Sequence, residues 1–218
     1  AALKSVIDEY LEEAYIADGH HRSSVLSHLN EISDNGYNSL DYSRLFCGFF
    51  SFDQLNVSEF NRVVDILEEI SPTKLMAKLS SKFSIIPIDG PAKPKRKHDI
   101  TAFIDKEWYQ LQWKQSILEK YKEEEVVLDT TLLNKEVLYD LLGIDNIRTD
   151  DRISYVKGSK GIEGVLKKCH DSPNRIAFNL FPIAIEEFQK ISDKNILLPP
   201  KSTYFEPRMK NGLIAQVF

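Results

Sequence analysis

Cysteine is scarce in this chain: Cys47 and Cys169 are the only two among 218 residues. They stand far apart and make neither a C-x-x-C pair nor a disulfide framework, which points to a reduced, cytoplasmic chain. Positive charge is also in deficit. Lys and Arg number 28 against 33 Asp and Glu, a net charge of -5, so no overall basic field marks the chain for nucleic acid or a membrane surface. No apolar run approaches the roughly 20 residues that a membrane-spanning helix needs. The opening AALKSVIDEYLEEA is charged throughout and has no signal-peptide core. Repeats, low-complexity tracts and the glycine signatures of dinucleotide and P-loop sites are absent, as are G-x-S-x-G and H-E-x-x-H. What remains is an ordinary globular composition, 42% hydrophobic and 28% charged, long enough to bury a core.

The apolar pattern predicts a mixed α/β (α+β) chain: a mixed sheet with flanking helices, in one unit over 1–218, with a subdomain boundary near 89–99 at the Pro-Lys-rich loop GPAKPKRKHD. Val6, Tyr10, Leu11 and Ala14 are spaced as one helix face. AYIAD reads as a strand end and HRSSVLSHLNEIS as a helix. SRLFCGFFSF reads as a strand buried on both faces. SEFNRVVDILEEI reads as a helix capped by Ser58, with Phe60, Val63, Val64 and Leu67 on its apolar face. Pro72 suits the first turn of another helix. FSIIPID is a strand, ITAFIDKEWYQLQW a hairpin turning near DKE, and LDTTLLNKEVLYDLLGI a helix ended by Gly143. RISYVKG and RIAFNLFPI are strands, KGIEGVLKKCHD and IEEFQKISDKN helices. A polar loop and a closing strand finish the chain.

Two constellations carry chemistry. The first is DGHHRS, Asp18 to Ser23, at the expected start of a helix. Adjacent histidines project in different directions and do not make a zinc pair, so no metal site is expected. A helix N-terminus supplies free N–H donors and a positive dipole end. Gly19 admits close approach of an anion, Arg22 offers a bidentate fork, and Ser23 adds a hydroxyl. His20 and His21 can donate or pass a proton near neutral pH. Phosphate binding is therefore weighed evenly against a plain helix cap at Asp18 with surface histidines. The second constellation is LPPKSTYFEPRMKNGL, where Lys201, Ser202, Thr203, Tyr204, Glu206 and Arg208 follow two stiffening prolines. Each is an incomplete anion site by itself, and both are expected to line one cleft. The basic run KPKRKHD reads as a solvated loop, and Trp108 and Trp113 as packing residues.

YIADGHHR, FNRVV, LLGIDNIRTDDRISYVKG and PPKSTYFEPRMKNGL, in that order, resemble the domain-of-unknown-function family ten-fifteen of bacteria and archaea. The likeness runs over nearly the whole chain and matches the C-terminal half of a family usually about twice this length. It implies a missing N-terminal half that packs on this chain. DGHHR more weakly resembles the phosphate-holding turn of the ParB–sulfiredoxin superfamily, some of whose members phosphorylate free serine from ADP or pyrophosphate. That resemblance implies a phosphorylated small-molecule ligand and phosphoryl transfer; Asp18, Gly19, His20, His21 and Arg22 match its turn, and the residues themselves put Asp18, Gly19, Arg22 and Ser23 on phosphate. His20, His21 and Lys201 would then be catalytic, and Ser202, Thr203, Tyr204, Glu206 and Arg208 would hold the substrate. It also implies Mg²⁺ arriving with a pyrophosphate or nucleotide donor. The competing class is a non-catalytic ParB-like nucleotide or nucleic-acid binding module.

Overall fold

The computed structural model describes residues 9–33, 42 and 45–210. The chain divides into two compact units, one of Ala1–Asn56 with Phe205–Phe218, the other of Val57–Tyr204.

The larger unit is built on a six-stranded sheet in the order β3-β5-β4-β7-β2-β6. Its strands are β2 (Phe60–Asp65), β3 (Phe83–Ile88), β4 (Asp99–Ile104), β5 (Glu107–Trp113), β6 (Ile153–Lys157) and β7 (Arg175–Asn179). All five pairings are antiparallel, so the α+β class stands and the expected mixed sheet is an antiparallel one. Two short strands, β1 (Asn56–Ser58) and β8 (Tyr204–Glu206), form a separate two-stranded sheet.

Helices cover both faces of the large sheet, and period-two alternation sorts its residues between them. Val64, Ala102, Ile104, Ile176 and Phe178 pack with Leu75 and Leu79 of α2 (Pro72–Leu79) and with Leu132 of α4 (Asp129–Leu132). That cluster also takes Leu133, Val137 and Leu138 from the π-helical turn Leu133–Tyr139 that continues α4. Val63, Phe103, Val156 and Ala177 face the other way, onto Val165 and Cys169 of α5 (Gly161–His170). A short helix, α3 (Gln115–Leu118), and α6 (Ile185–Asp193) complete the unit.

The turn chemistry follows the sequence closely. Ser71 caps α2, its hydroxyl accepting from the Lys74 amide at 3.4 Å, and Pro72 opens the helix. Asp105 and Lys106, both at positive φ (49° and 68°), make the hairpin between β4 and β5. Gly143, at φ 64°, donates to the Tyr139 carbonyl and ends the helical run.

Four expectations give way. FNRVVD is a central strand, not a helix: Phe60 to Val64 are all buried, the mark of a strand covered on both faces. Ser58 lies in β1 and donates to the Tyr204 carbonyl at 3.3 Å instead of capping a helix. The run at Leu45–Phe50 has no regular structure, and Leu45, Phe46, Phe49 and Phe50 are exposed. Leu11 to Ala17, read as helix face and strand end, carry neither helix nor strand. Residues 1–8 and 211–218, where the first helix and the closing strand were expected, lie outside the described residues.

Candidate functional site

The DGHHR turn lies in the smaller unit and does open a helix, α1 (His20–Ser33). Gly19 precedes it at φ 86°, a left-handed conformation that a residue with a Cβ adopts only under strain. Its carbonyl accepts from the Ser23 amide at 2.9 Å and the Ser23 hydroxyl at 3.1 Å. Gly19 therefore holds the cap position that the sequence reading gave to Asp18. Arg22 folds back over the turn. A Cβ built on Gly19 would lie 3.2 Å from its guanidinium Nη2 and 3.5 Å from Nε; the backbone angle demands glycine, and the exposed Arg22 side chain packs close above it.

Asp18 makes an ion pair with Arg208 at 3.7 Å, which joins the turn to the end of the C-terminal motif within one unit. His20, His21 and Arg22 are exposed, and the first helical turn carries no acidic side chain. The site thus presents imidazole and guanidinium donors at the positive end of the helix dipole.

The rest of the second constellation is placed as follows. Glu206 lies half-buried in β8. Lys201, Ser202, Thr203 and Tyr204 belong to the larger unit. Lys201 is exposed, at φ 56°. Ser202 is buried and donates to the Pro199 carbonyl at 2.6 Å. Thr203 is half-buried. Tyr204 is buried, and its hydroxyl accepts from the Lys157 ammonium at 3.1 Å.

Sequence reasoning missed Arg62. It sits on β2 with no exposed surface, donating to the Phe60 carbonyl and, at 3.1 Å, to the Lys201 carbonyl. Its Nε is buried without a hydrogen-bond partner. Burial pulls this guanidinium down to about 10, and its ring neighbour is Tyr155, 5.5 Å away. The available signal was an arginine inside a β-branched run. Reading FNRVV as a helix hid it.

The basic loop is solvated, with Lys93, Lys95 and Arg96 exposed, and it is pinned towards its C-terminal end. Lys97 pairs with Glu187, and Arg96 with Asp99 at 3.1 Å. The His98 amide and ring Nδ1 both meet the Asp129 carboxylate, at 2.9 and 3.1 Å, and Trp113 Nε1 donates to the same carboxylate at 3.1 Å. Trp113 and Trp108 are packing residues, as expected. Among the described residues, no group of three or more His, Cys, Asp or Glu side chains is disposed to hold a metal ion, and no helix is long and apolar enough to cross a membrane.

Comparison with known proteins adds the following. The model of a family described as "Protein of unknown function (DUF1015)" matches residues 1–131. No curated protein matches the chain. Among solved structures, SbnI with a C-terminal truncation, from Staphylococcus aureus, is similar at 15% identity and a TM-score of 0.49, covering 89% of this chain and 65% of that one. A mutant free serine kinase in complex with AMP is similar at 16% identity and a TM-score of 0.44, covering 87% and 66%. The same kinase with ADP gives 16%, 0.42, 87% and 66%. The chain therefore spans just under two thirds of the length of these structures.

Proposed function

The chain belongs to the DUF1015 family of proteins of unknown function, and on that footing we propose that it binds phosphate at the Asp18–Arg22 turn and serves small-molecule phosphoryl transfer. One observation carries the reading: Arg22 folded onto a left-handed Gly19 at the N-terminus of α1. A guanidinium, free helix N–H groups and a backbone with no Cβ in the way form a built anion cradle. The Asp18–Arg208 ion pair, 3.7 Å, supports it by bringing a second guanidinium beside the turn.

In this reading Gly19, Arg22 and Ser23 hold the phosphate, with Asp18 fixing Arg208. His20 or His21 takes the proton of the attacking hydroxyl. Within the larger unit, Lys201, Ser202, Thr203 and Tyr204 suit an anionic ligand by their own chemistry. The P–O bond to the donor breaks as the bond to the acceptor oxygen forms. Catalysis rests on positioning and charge neutralisation more than on covalent chemistry. The donor is pyrophosphate or a nucleotide, and Mg²⁺ travels with its phosphates. Free serine is the first acceptor to test, since the DGHHR turn resembles that of serine kinases.

The test is to incubate full-length protein with serine and each donor, in both directions, and follow phosphoserine by mass spectrometry. Product is expected, and His21→Ala should cut turnover at least about tenfold, roughly 1.4 kcal/mol of barrier. No product in either direction, with the donor shown to bind, overturns transfer and leaves a phosphate-binding module.

A further inference from the structure

Three cations gather on one face of β2 and β6 with no carboxylate to balance them. The register pairs Phe60 with Lys157 and Arg62 with Tyr155, so these four share a face. The Lys157 ammonium lies 4.3 Å from the centre of the Tyr204 ring, and the Lys201 ammonium 5.4 Å from the centre of the Phe60 ring. Phe60 and Tyr204 meet edge to face at 5.7 Å. Beneath them Arg62 grips the Phe60 and Lys201 carbonyls, fully buried, with Nε unpartnered. Among the described residues neither Lys157, Lys201 nor Arg62 pairs with a carboxylate, whereas Lys82, Lys97, Arg152, Arg175 and Arg208 each do.

At its Lys201 and Tyr155 end the arrangement borders a cavity of about 590 Å³, within the range of small-molecule sites. Tyr155 and Lys201 belong to both, the first against Arg62 and the second over Phe60. Arg148, Thr149, Asp151 and Pro200 complete the polar part of the wall. Asp150, also in the wall, is already held by Arg152 at 2.7 and 3.0 Å. The cavity therefore gathers residues from two separate motifs, Ile147–Tyr155 and Pro200–Lys201.

We propose that Lys157 and Lys201 form an anion site for the phosphate of a small phosphorylated molecule whose polar body fills this cavity. A cation resting on an aromatic face is held more weakly than one hydrogen-bonded to a charged oxygen, so an arriving phosphate draws both ammoniums off their rings. Arg62 does not touch the ligand. It fixes the Lys201 backbone at its left-handed angle and adds positive field from a buried position, where screening by water is least. Two or three uncompensated charges match a phosphate dianion better than a single carboxylate. Arg148, at the cavity wall, supplies a further cation, and Asp151 and Thr149 suit a hydroxyl or amine on the ligand's body.

The proposal deepens the assignment of Lys201 and Tyr204 to ligand binding and rests on that assignment, not on the Arg22 turn or on any transfer step. Calorimetric titration with inorganic pyrophosphate, and separately with inorganic phosphate, tests it in wild type, Lys157→Met, Lys157→Arg, Lys201→Met and Arg22→Ala. Wild type should bind at two places. Arg22→Ala should retain the site at Lys157, and each Met variant should weaken that site at least tenfold, with Lys157→Arg restoring most of the affinity. Lys157 and Lys201 are not core residues, so melting temperatures should stay near wild type. Met variants that titrate like wild type overturn the proposal. Equal loss in Arg22→Ala and in the Met variants also overturns it, because the two sites would then be one. Loss in Arg22→Ala alone upholds the turn and sinks this site; loss in the Met variants alone does the reverse.

Discussion

Glu136 is a buried carboxylate kept charged by its neighbours. Only 9% of its side chain is exposed, yet it accepts from Lys82 at 2.7 Å, Lys120 at 3.1 Å and Tyr121 at 2.9 Å. Burial pushes its carboxyl up, but the hydrogen bonds from Lys82, Lys120 and Tyr121 outweigh it and leave it below the ordinary 4.5. The same cluster raises the Tyr121 hydroxyl, first through burial and then through Glu136. As pH falls from neutral, the unfolded chain takes up this proton near pH 4.5 while the folded chain still resists. The stability this carboxylate contributes is therefore complete above that value and is lost as pH drops through the lower folded one. Glu136→Gln removes the charge that Lys82, Lys120 and Tyr121 donate to, while Lys82 keeps its Asp140 partner, so it should cost about 2 kcal/mol near neutral pH. The gap to wild type in urea unfolding should shrink between about pH 7 and about pH 3.5. A gap that stays constant over that range would show that the charge contributes nothing. By contrast, the Cys169 thiol, which nothing in the proposed chemistry uses, is pushed up by burial to about 11 and sits in the core as a small apolar group.

At the scale of elements, the β4–β5 hairpin is held by a turn its own residues do not favour. Asp105 and Lys106 both take positive φ, 49° and 68°, which suits the twist of a two-residue hairpin but strains a lysine. Replacing the pair by Asn-Gly should stabilise the protein by about 1 kcal/mol. Thermal unfolding checks this, and a lower melting temperature would mean that the side chains at this turn matter more than its backbone. This hairpin was legible because alternating apolar residues flanked a polar turn. The Pro72 helix was legible because proline suits the first turn of a helix. FNRVVD was not, because Phe60, Val63 and Val64 also fit a helical face, and only pairing with β6 and β7 settles which period is real. SRLFCGFFSF misled for the opposite reason: an apolar run predicts a buried strand only where another layer covers it, and Leu45, Phe46, Phe49 and Phe50 lie exposed.

At the scale of the molecule, a chain with net charge -5 has no bulk attraction for anions. The phosphate binding proposed here must therefore come from local donors, and the sequence disclosed the candidates unevenly. The DGHHRS donors were legible because glycine, arginine and histidine fall within one turn. The β2–β6 cations were not, because Lys157, Lys201 and Arg62 meet only through strand register and a loop anchored to a buried side chain. The central claim is that Arg22, folded over Gly19, makes the N-terminus of α1 a phosphate cradle. Isothermal titration of pyrophosphate into wild type and Arg22→Ala at fixed ionic strength tests it most directly. The account predicts that the substitution weakens the turn site by about 1.5–3 kcal/mol, the scale of a charge-assisted hydrogen bond, with the melting temperature unchanged. Identical pyrophosphate isotherms for the two proteins would contradict it.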